Sequence, residues 1–415
     1  MRNKDIIMFG QQGWDINIGS NAHNIAAVMA KTNRVLYVNP PLDINSLLKS
    51  KQKSRIKIIF RLLFGKEQDL VKKSENLWVY TPDILCLSIN WISSPRIFRL
   101  LNFFNNKLFA RSIKKASQKL NFKSYFLFND SLMFLGLEQK KLLQPTKYIY
   151  YVRDYMVAVP YFKKHGTWAE AELMAKADLV VANSLFLAEY ASRSNSQSYD
   201  VGQGCELDFF NPAIKTPVPA DLANLRQPII GYVGNLTASR LDINLLEQLA
   251  TTRPDWTIAL VGFEDEHFKA SRLHGLTNVH FLGAKAPKEL PSYIQYFDVC
   301  INPQVVNEIT IGNYPRKIDE YLAMGKPVVA TKTIAMKMFE GYTYLGSSAA
   351  EYIELIEKAL AENSTSKTEA RIAFAKSHTW EASVQAIYNL LNQIEQKEKP
   401  LPLPINENAQ PVPSH

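Results

Sequence analysis

Short apolar runs, glycine-bearing turns and helical stretches alternate along this chain, and the alternation starts twice. The first series opens with a buried strand at Asp5–Phe9 and a loop from Gly10 to Ser20. A helix at Asn24–Lys31 and a strand at Arg34–Val38, stopped by Pro40 and Pro41, complete it. This is a βαβ unit, which joins parallel strands through a helix lying on the sheet. Further strands are expected at 77–80, 124–128, 147–151 and 178–182, with a helix over 96–120. Residues 211–228 hold four prolines and no periodicity. A second series follows, with a strand at Pro228–Gly234, a helix at Leu241–Thr251 and strands at 256–262, 279–282, 299–302 and 327–331.

The pattern predicts an α/β protein of two doubly wound domains facing across a cleft. The first covers residues 1–210 and 211–228 link it to the second, 229–378. A closing helix at 379–398 is expected to pack back on the first domain, and the tail 399–415, rich in Pro, Asn and Gln, reads as disordered. A length of 415 residues suits two such cores. No stretch approaches the roughly 20 apolar residues needed to span a bilayer, and the start does not read as a signal peptide. Cys86, Cys205 and Cys300 lie far apart, which argues against a zinc site or a disulfide framework and fits a reducing cytoplasm.

The formal net charge of +9 is unevenly spread. Residues 49–73 interleave lysines and arginines with Ile and Phe, and two readings stay open. The segment either lies on an anionic membrane surface or is a solvated helix packed on its own domain. No nucleic-acid-binding motif accompanies the charge.

Ligands bind such sheets at the carboxyl ends of their strands. There, Val233-Gly234-Asn235 leads to Arg240 between a strand and a helix, a turn that lets backbone and cation approach a phosphate. A helix starting near Pro315 puts Lys317 and Glu320 on one face, the lysine suited to a diphosphate and the glutamate to ribose hydroxyls. The alternative is a surface ion pair. In the first-domain loop Gly13, Trp14, Gly19 and Ser20 should face the cleft, with Trp14 either stacked on a sugar or packed. Asp154, at a strand end, is either an acceptor-side carboxylate or a cap. His23 reads as structural, and Glu170 and Glu172 as cleft supports or solvated residues.

The string Asn313-Tyr314-Pro315-Arg316-Lys317-Ile318-Asp319-Glu320-Tyr321-Leu322-Ala323-Met324-Gly325-Lys326-Pro327-Val328-Val329-Ala330-Thr331 resembles the signature of retaining GT-B glycosyltransferases of the family 4 or group 1 type. Asn278–Gly283, Phe297-Asp298-Val299, Thr379-Trp380-Glu381, Ala177–Ser184 and Gly202–Phe210 fall in the expected order. The resemblance implies two Rossmann-like domains and transfer of a sugar from a nucleotide diphosphate donor to a saccharide or lipid-linked acceptor. Relatives that build capsular, exopolysaccharide or teichuronic-type polymers suggest cell-surface polysaccharide synthesis, in the cytoplasm or at the inner face of the membrane. The implied donor set is Gly234, Asn235, Arg240, Gly283, Thr310, Lys317 and Glu320. Arg240 and Lys317 would neutralise the leaving diphosphate, so that neither a metal nor a further cofactor is expected.

Two positions depart from the family. Where it often has a glutamate near the donor sugar, eight residues before Glu320, this chain has Gly312; Glu308 is the candidate replacement, against a solvated loop carboxylate. No histidine occurs in Tyr150–Asp154. A catalytically silent GT-B protein that binds a glycan or partner, and a nucleotide-sugar epimerase, therefore stay open as alternatives.

Overall fold

The computed structural model describes residues 1–15, 20–49, 69–205, 209–308, 310–312 and 314–398. Gly19, most of the basic segment (50–68), Glu206–Asp208 and the tail lie outside them.

Ten strands precede residue 201: β1 (Asp5–Gly10), β2 (Arg34–Val38), β3 (Leu42–Asp43), β4 (Leu70–Ser74), β5 (Leu77–Tyr80), β6 (Leu85–Cys86), β7 (Tyr125–Asp130), β8 (Lys147–Val152), β9 (Leu179–Ala182) and β10 (Ser198–Asp200). Eight of them form one sheet in the order β10-β9-β8-β7-β1-β2-β5-β4. Every pairing in it is parallel except β4 with β5. The basic stretch thus ends in an exposed edge strand, with Lys72 over the Trp78 ring and Lys73 3.6 Å from Asp15.

Period-two alternation divides β1 between two cores. Ile7 and Phe9 face one, which includes the long helix α2 (Pro95–Lys119), α3 (Pro160–Lys176) and α4 (Leu185–Ser192). Ile6 and Met8 face the other, beneath α1 (Asn21–Ala30).

The second domain has a six-stranded, all-parallel sheet. Its strands are β11 (Ile229–Val233), β12 (Thr257–Val261), β13 (Val279–Gly283), β14 (Val299–Asn302), β15 (Val328–Thr331) and β16 (Tyr344–Gly346), in the order β13-β12-β11-β14-β15-β16. The four central strands, β12, β11, β14 and β15, are mostly apolar and buried on both faces, as parallel strands between helices require, whereas the edge strands β13 and β16 are only partly buried. Helices α5 (Ile243–Thr252) and α8 (Ala349–Ala361) cover one face. The other carries α6 (Leu290–Gln295), α7 (Arg316–Ala323) and α9 (Thr365–Ser377). Leu222, in the proline-rich link, is buried in that second core.

The final helix α10 (Trp380–Glu398) leaves the second domain and buries Trp380, Val384, Ile387 and Leu391 beside Ile25 and Met29 of α1. At the crossing, a Cβ on Gly204 would fall 2.4 Å from the Trp380 nitrogen, so only glycine fits. Ile387→Ala is expected to lower unfolding free energy by about 2–5 kcal/mol, from lost transfer energy and the cavity left behind. Urea denaturation measures it, and a loss below about 1 kcal/mol would show that α10 contributes little.

Candidate functional site

A cavity of about 740 Å³ opens at the carboxyl ends of β11 and β14, where the turn after β11 meets the start of α7. Gly234 follows β11 with φ +140°, in the region that favours glycine. A Cβ there would stand 2.9 Å from both Lys317 Nζ and the Tyr232 hydroxyl. The turn that follows is braced by Asp265, whose carboxylate accepts from the Ala238 and Phe268 amides at 2.8 and 2.9 Å. This brings Asn235, Thr237 and Arg240 to the cavity wall.

Helix α7 is positioned by polar bonds to the strand beneath it. The Tyr321 hydroxyl accepts from the Val233 amide at 2.8 Å and donates to its carbonyl at 3.3 Å. Asp319, fully buried, accepts from the Tyr314 hydroxyl at 2.5 Å and lies 2.8 Å from His378 Nδ1. Gly325, at φ +71°, ends the helix.

On that helix the Lys317 ammonium donates to the Tyr232 hydroxyl and lies 4.1 Å from the centre of its ring. Burial pushes Lys317 down to about 7; Glu320 opposes the shift and Arg240 adds to it. Glu320 is nearly buried and accepts from Arg316 Nε at 3.1 Å. Burial raises its carboxyl, against the pull of Arg316 and Lys317. The alternative reading, a lysine–glutamate surface pair, is therefore not what forms. Each partner has another neighbour, and both line the cavity.

A smaller polar pocket of about 210 Å³ lies between the domains, with Arg240 and Tyr314 on one side and Gln12, Asn21, Arg153 and Asp154 on the other. Arg153 Nη1 donates to Gln12 Oε1 at 3.2 Å, and its Nε is 3.5 Å from the buried Asp130 and 3.6 Å from Asp154. Burial pushes Asp130 up to about 6, with Arg153 opposing. Arg153 and Asp130 were not singled out from the sequence; the one signal was the polar Asn129-Asp130 pair closing an otherwise apolar strand.

The structure gathers Gly234, Asn235, Arg240, Thr310, Lys317 and Glu320 around the larger cavity and puts Asp154 in the polar pocket. Other candidates fall elsewhere. Glu308 is largely exposed, 3.6 Å from Lys163 and off the cavity lining. Nor is there room for a side chain at position 312: Gly312 is buried, and a Cβ there would meet the Phe186 ring at 2.2 Å. Gly283 accepts from the Gly262 amide at 3.0 Å and does not line the cavity. Trp14 packs on His23 and Tyr37, with centroids at 4.5 and 5.1 Å, so its ring is used within the first domain. Gly13 sits against Asn39, and Ser20 is buried at the start of α1; neither lines either pocket. Glu170 is buried in the first core and accepts from Tyr150 and Tyr190, while Glu172 pairs with Arg99 and Lys176. Among the described residues, no group of three or more His, Cys, Asp or Glu is placed to hold a metal ion.

The fold is of the GT-B type, two Rossmann-like domains across a cleft. Sucrose-phosphate synthase from Thermosynechococcus elongatus superposes with a TM-score of 0.65 at 17% identity, over 95% of this chain and 100% of that one. Anabaena HepE in complex with UDP and glucose gives 0.60 at 18%, over 93% and 99%. Within this fold, residues 227–362 match the family model described as Glycosyl transferases group 1. A Bacillus subtilis (strain 168) protein named for teichuronic acid biosynthesis, the glycosyltransferase TuaH, is 28% identical over 223 residues. That match covers 51% of this chain and 56% of that protein, little more than half the length of the relative.

Gly234→Ala is expected to displace Lys317 and weaken binding of any phosphate ligand in the cavity by about tenfold, or about 1.4 kcal/mol. Calorimetric titration with a nucleoside diphosphate measures it, and unchanged affinity would show that the Gly234–Lys317 contact does not shape the site.

Proposed function

We propose that this protein is a glycosyltransferase that moves a sugar from a nucleotide diphosphate donor to a saccharide or lipid-linked saccharide, in synthesis of a bacterial cell-surface polysaccharide. The observation that carries the reading is the cavity at the start of α7. There a helix N-terminus, Lys317 and Arg240 supply positive charge, and Glu320 presents a hydrogen-bond acceptor one turn on. The group 1 match over the same half and the Bacillus relative support the activity. The structural neighbour in complex with UDP and glucose supports a nucleotide-sugar donor.

In this reading the anomeric carbon exchanges its bond to the donor phosphate for one to an acceptor oxygen on the same face, with retention. The acceptor proton passes to the departing phosphate, whose charge Lys317 and Arg240 stabilise. Asp154 and the polar groups of the adjoining pocket orient acceptor hydroxyls. The donor is a substrate, and the reaction draws on no further cofactor. The work is placed in the cytoplasm, at the inner face of the membrane; the segment 49–73, of which 50–68 lie outside the described residues, is one means of contact there.

One observation favours a second reading, a silent GT-B protein: Glu308 points away from the cavity and Gly312 leaves no room for a carboxylate. A panel of nucleotide sugars separates the two. A matching donor is expected to raise the melting temperature and be consumed with an acceptor, the product keeping the donor's anomeric configuration by NMR. Stabilisation without consumption would establish the silent protein, and release of an epimerised free sugar without acceptor would establish an epimerase. Lys317→Ala and Glu320→Ala are each expected to cost about 1.5–3 kcal/mol of donor binding and to abolish the shift. A shift that survives both would overturn the donor site.

The proton on Lys317 gives a further expectation. An anion beside Lys317 raises its affinity for a proton, so donor binding favours the charged form. Below about pH 7 the lysine is already charged, and donor affinity is expected to be flat there. Above about 7 affinity falls with rising pH, because binding must recruit a proton. Titrations at a series of pH values test this, and Lys317→Met should abolish the slope.

A further inference from the structure

Helix α2 turns one side to the first core and the other to water. On its outer side Ile97, Leu100 and Phe104 are 52%, 69% and 49% exposed, and their spacing places them on one stripe. The stripe continues through Lys107, Arg111 and Lys114, all exposed, and the helix contains no acidic residue. Among the described residues none of these three cations, nor Arg96, pairs with a carboxylate. Lys107 Nζ lies 4.7 Å from the centre of the Phe103 ring, and the other basic residues of α2 pair with carboxylates: Arg99 with Glu172, Lys115 with Asp83 and Lys119 with Asp69.

Trp91, in the loop that leads into α2, is 75% exposed. Its indole N–H donates to the Ser88 carbonyl at 2.8 Å, and its own carbonyl accepts from Lys164 Nζ at 2.8 Å. Asn90 Nδ2 donates to the Tyr161 carbonyl at 2.6 Å, which ties the loop to α3, where the Tyr161 ring is 59% exposed. The indole is thus held in water by a braced loop, with no apolar pocket to fill.

We propose that this face docks on the surface of an anionic lipid bilayer. Its aromatic and aliphatic tips suit the interfacial layer, and the cations along the same stripe, without a carboxylate partner among the described residues, suit anionic headgroups. The charge complementarity favours this occupant over a second copy of the chain, which would bring the same cations face to face. No described helix is long and apolar enough to cross a membrane, so the contact is peripheral. Docking does not depend on the transfer reading, but it fits a lipid-linked acceptor, which does rest on that reading. A cleft of about 320 Å³ runs from Tyr161 and Asn90 to Gln11, the neighbour of Gln12 in the polar pocket.

Flotation of the full chain with vesicles tests the proposal, using phosphatidylcholine alone or mixed with phosphatidylglycerol. The protein is expected to float with the mixed vesicles only. Trp91→Ala/Leu100→Glu/Phe104→Glu should lower the bound fraction by about tenfold. Because such a variant can misfold, Lys107→Gln/Arg111→Gln/Lys114→Gln, at exposed positions, is tested beside it and should also release the protein. The donor-induced thermal shift, read in parallel, should persist in both, which separates loss of docking from loss of the donor site. The proposal is overturned if the wild type does not float, if it floats equally on neutral vesicles, or if both variants float as the wild type does. It is also overturned if only deletion of 50–68 releases the protein, or if sedimentation shows that this face joins two copies.

Discussion

The candidate site depends on the clamp between α7 and the end of β11. An isolated helix of eight residues is not stable in water, so this one must be placed by what it touches. Tyr321 grips the Val233 backbone through both its donor and its acceptor, and Asp319 ties the helix to His378 and Tyr314. The Tyr321 and Tyr314 bonds are buried, where a hydrogen bond is electrostatically stronger and a missing partner more costly than in water. The same helix turn then presents Lys317 and Glu320 to the cavity. One set of interactions therefore fixes the helix, its positive end and its charged side chains together.

The charge balance follows from that placement. Glu320 is held by Arg316, which leaves Lys317 facing a neutral hydroxyl and Arg240 across the cavity. Unpaired positive charge in partly desolvated surroundings costs free energy until an anion arrives. The arrangement is organised for a ligand that brings negative charge with it. In the polar pocket the balance is different, since Arg153 already lies between Asp130 and Asp154.

How much of this was legible in the sequence varied with how local the cause was. The inner strands of both sheets could be read because buried parallel strands are contiguous apolar runs, whereas the edge strands β4, β10 and β16, short or polar, gave no such run. Lys317 and Glu320 could be read because they share one short helix, and helical spacing fixes which side chains are neighbours. Tyr232 beneath Lys317 and Asp130 behind Arg153 could not, since each contact joins residues far apart in the chain. Glu308 shows the opposite error. Being near Gly312 in sequence suggested that it points into the cavity, whereas the loop turns it towards Lys163 of the first domain. Trp14 was ambiguous for a related reason, because a loop aromatic packs wherever an apolar surface lies within reach, here on Tyr37.

The Gly312 contact also bears on how the two halves belong together. Ser184 donates to the Gly312 carbonyl at 2.9 Å, and Phe186 occupies the space that a side chain at 312 would fill. The loop beside the candidate donor cavity is thus shaped partly by the first domain. GT-B halves look modular, each with its own sheet and core, yet this pair is mated at a point where only glycine fits against that phenylalanine. A chimaera that joined this second domain to a foreign first domain would inherit the loop without its mould. Recombining specificities in this scaffold would require Ser184 and Phe186 to travel with Gly312 as one unit.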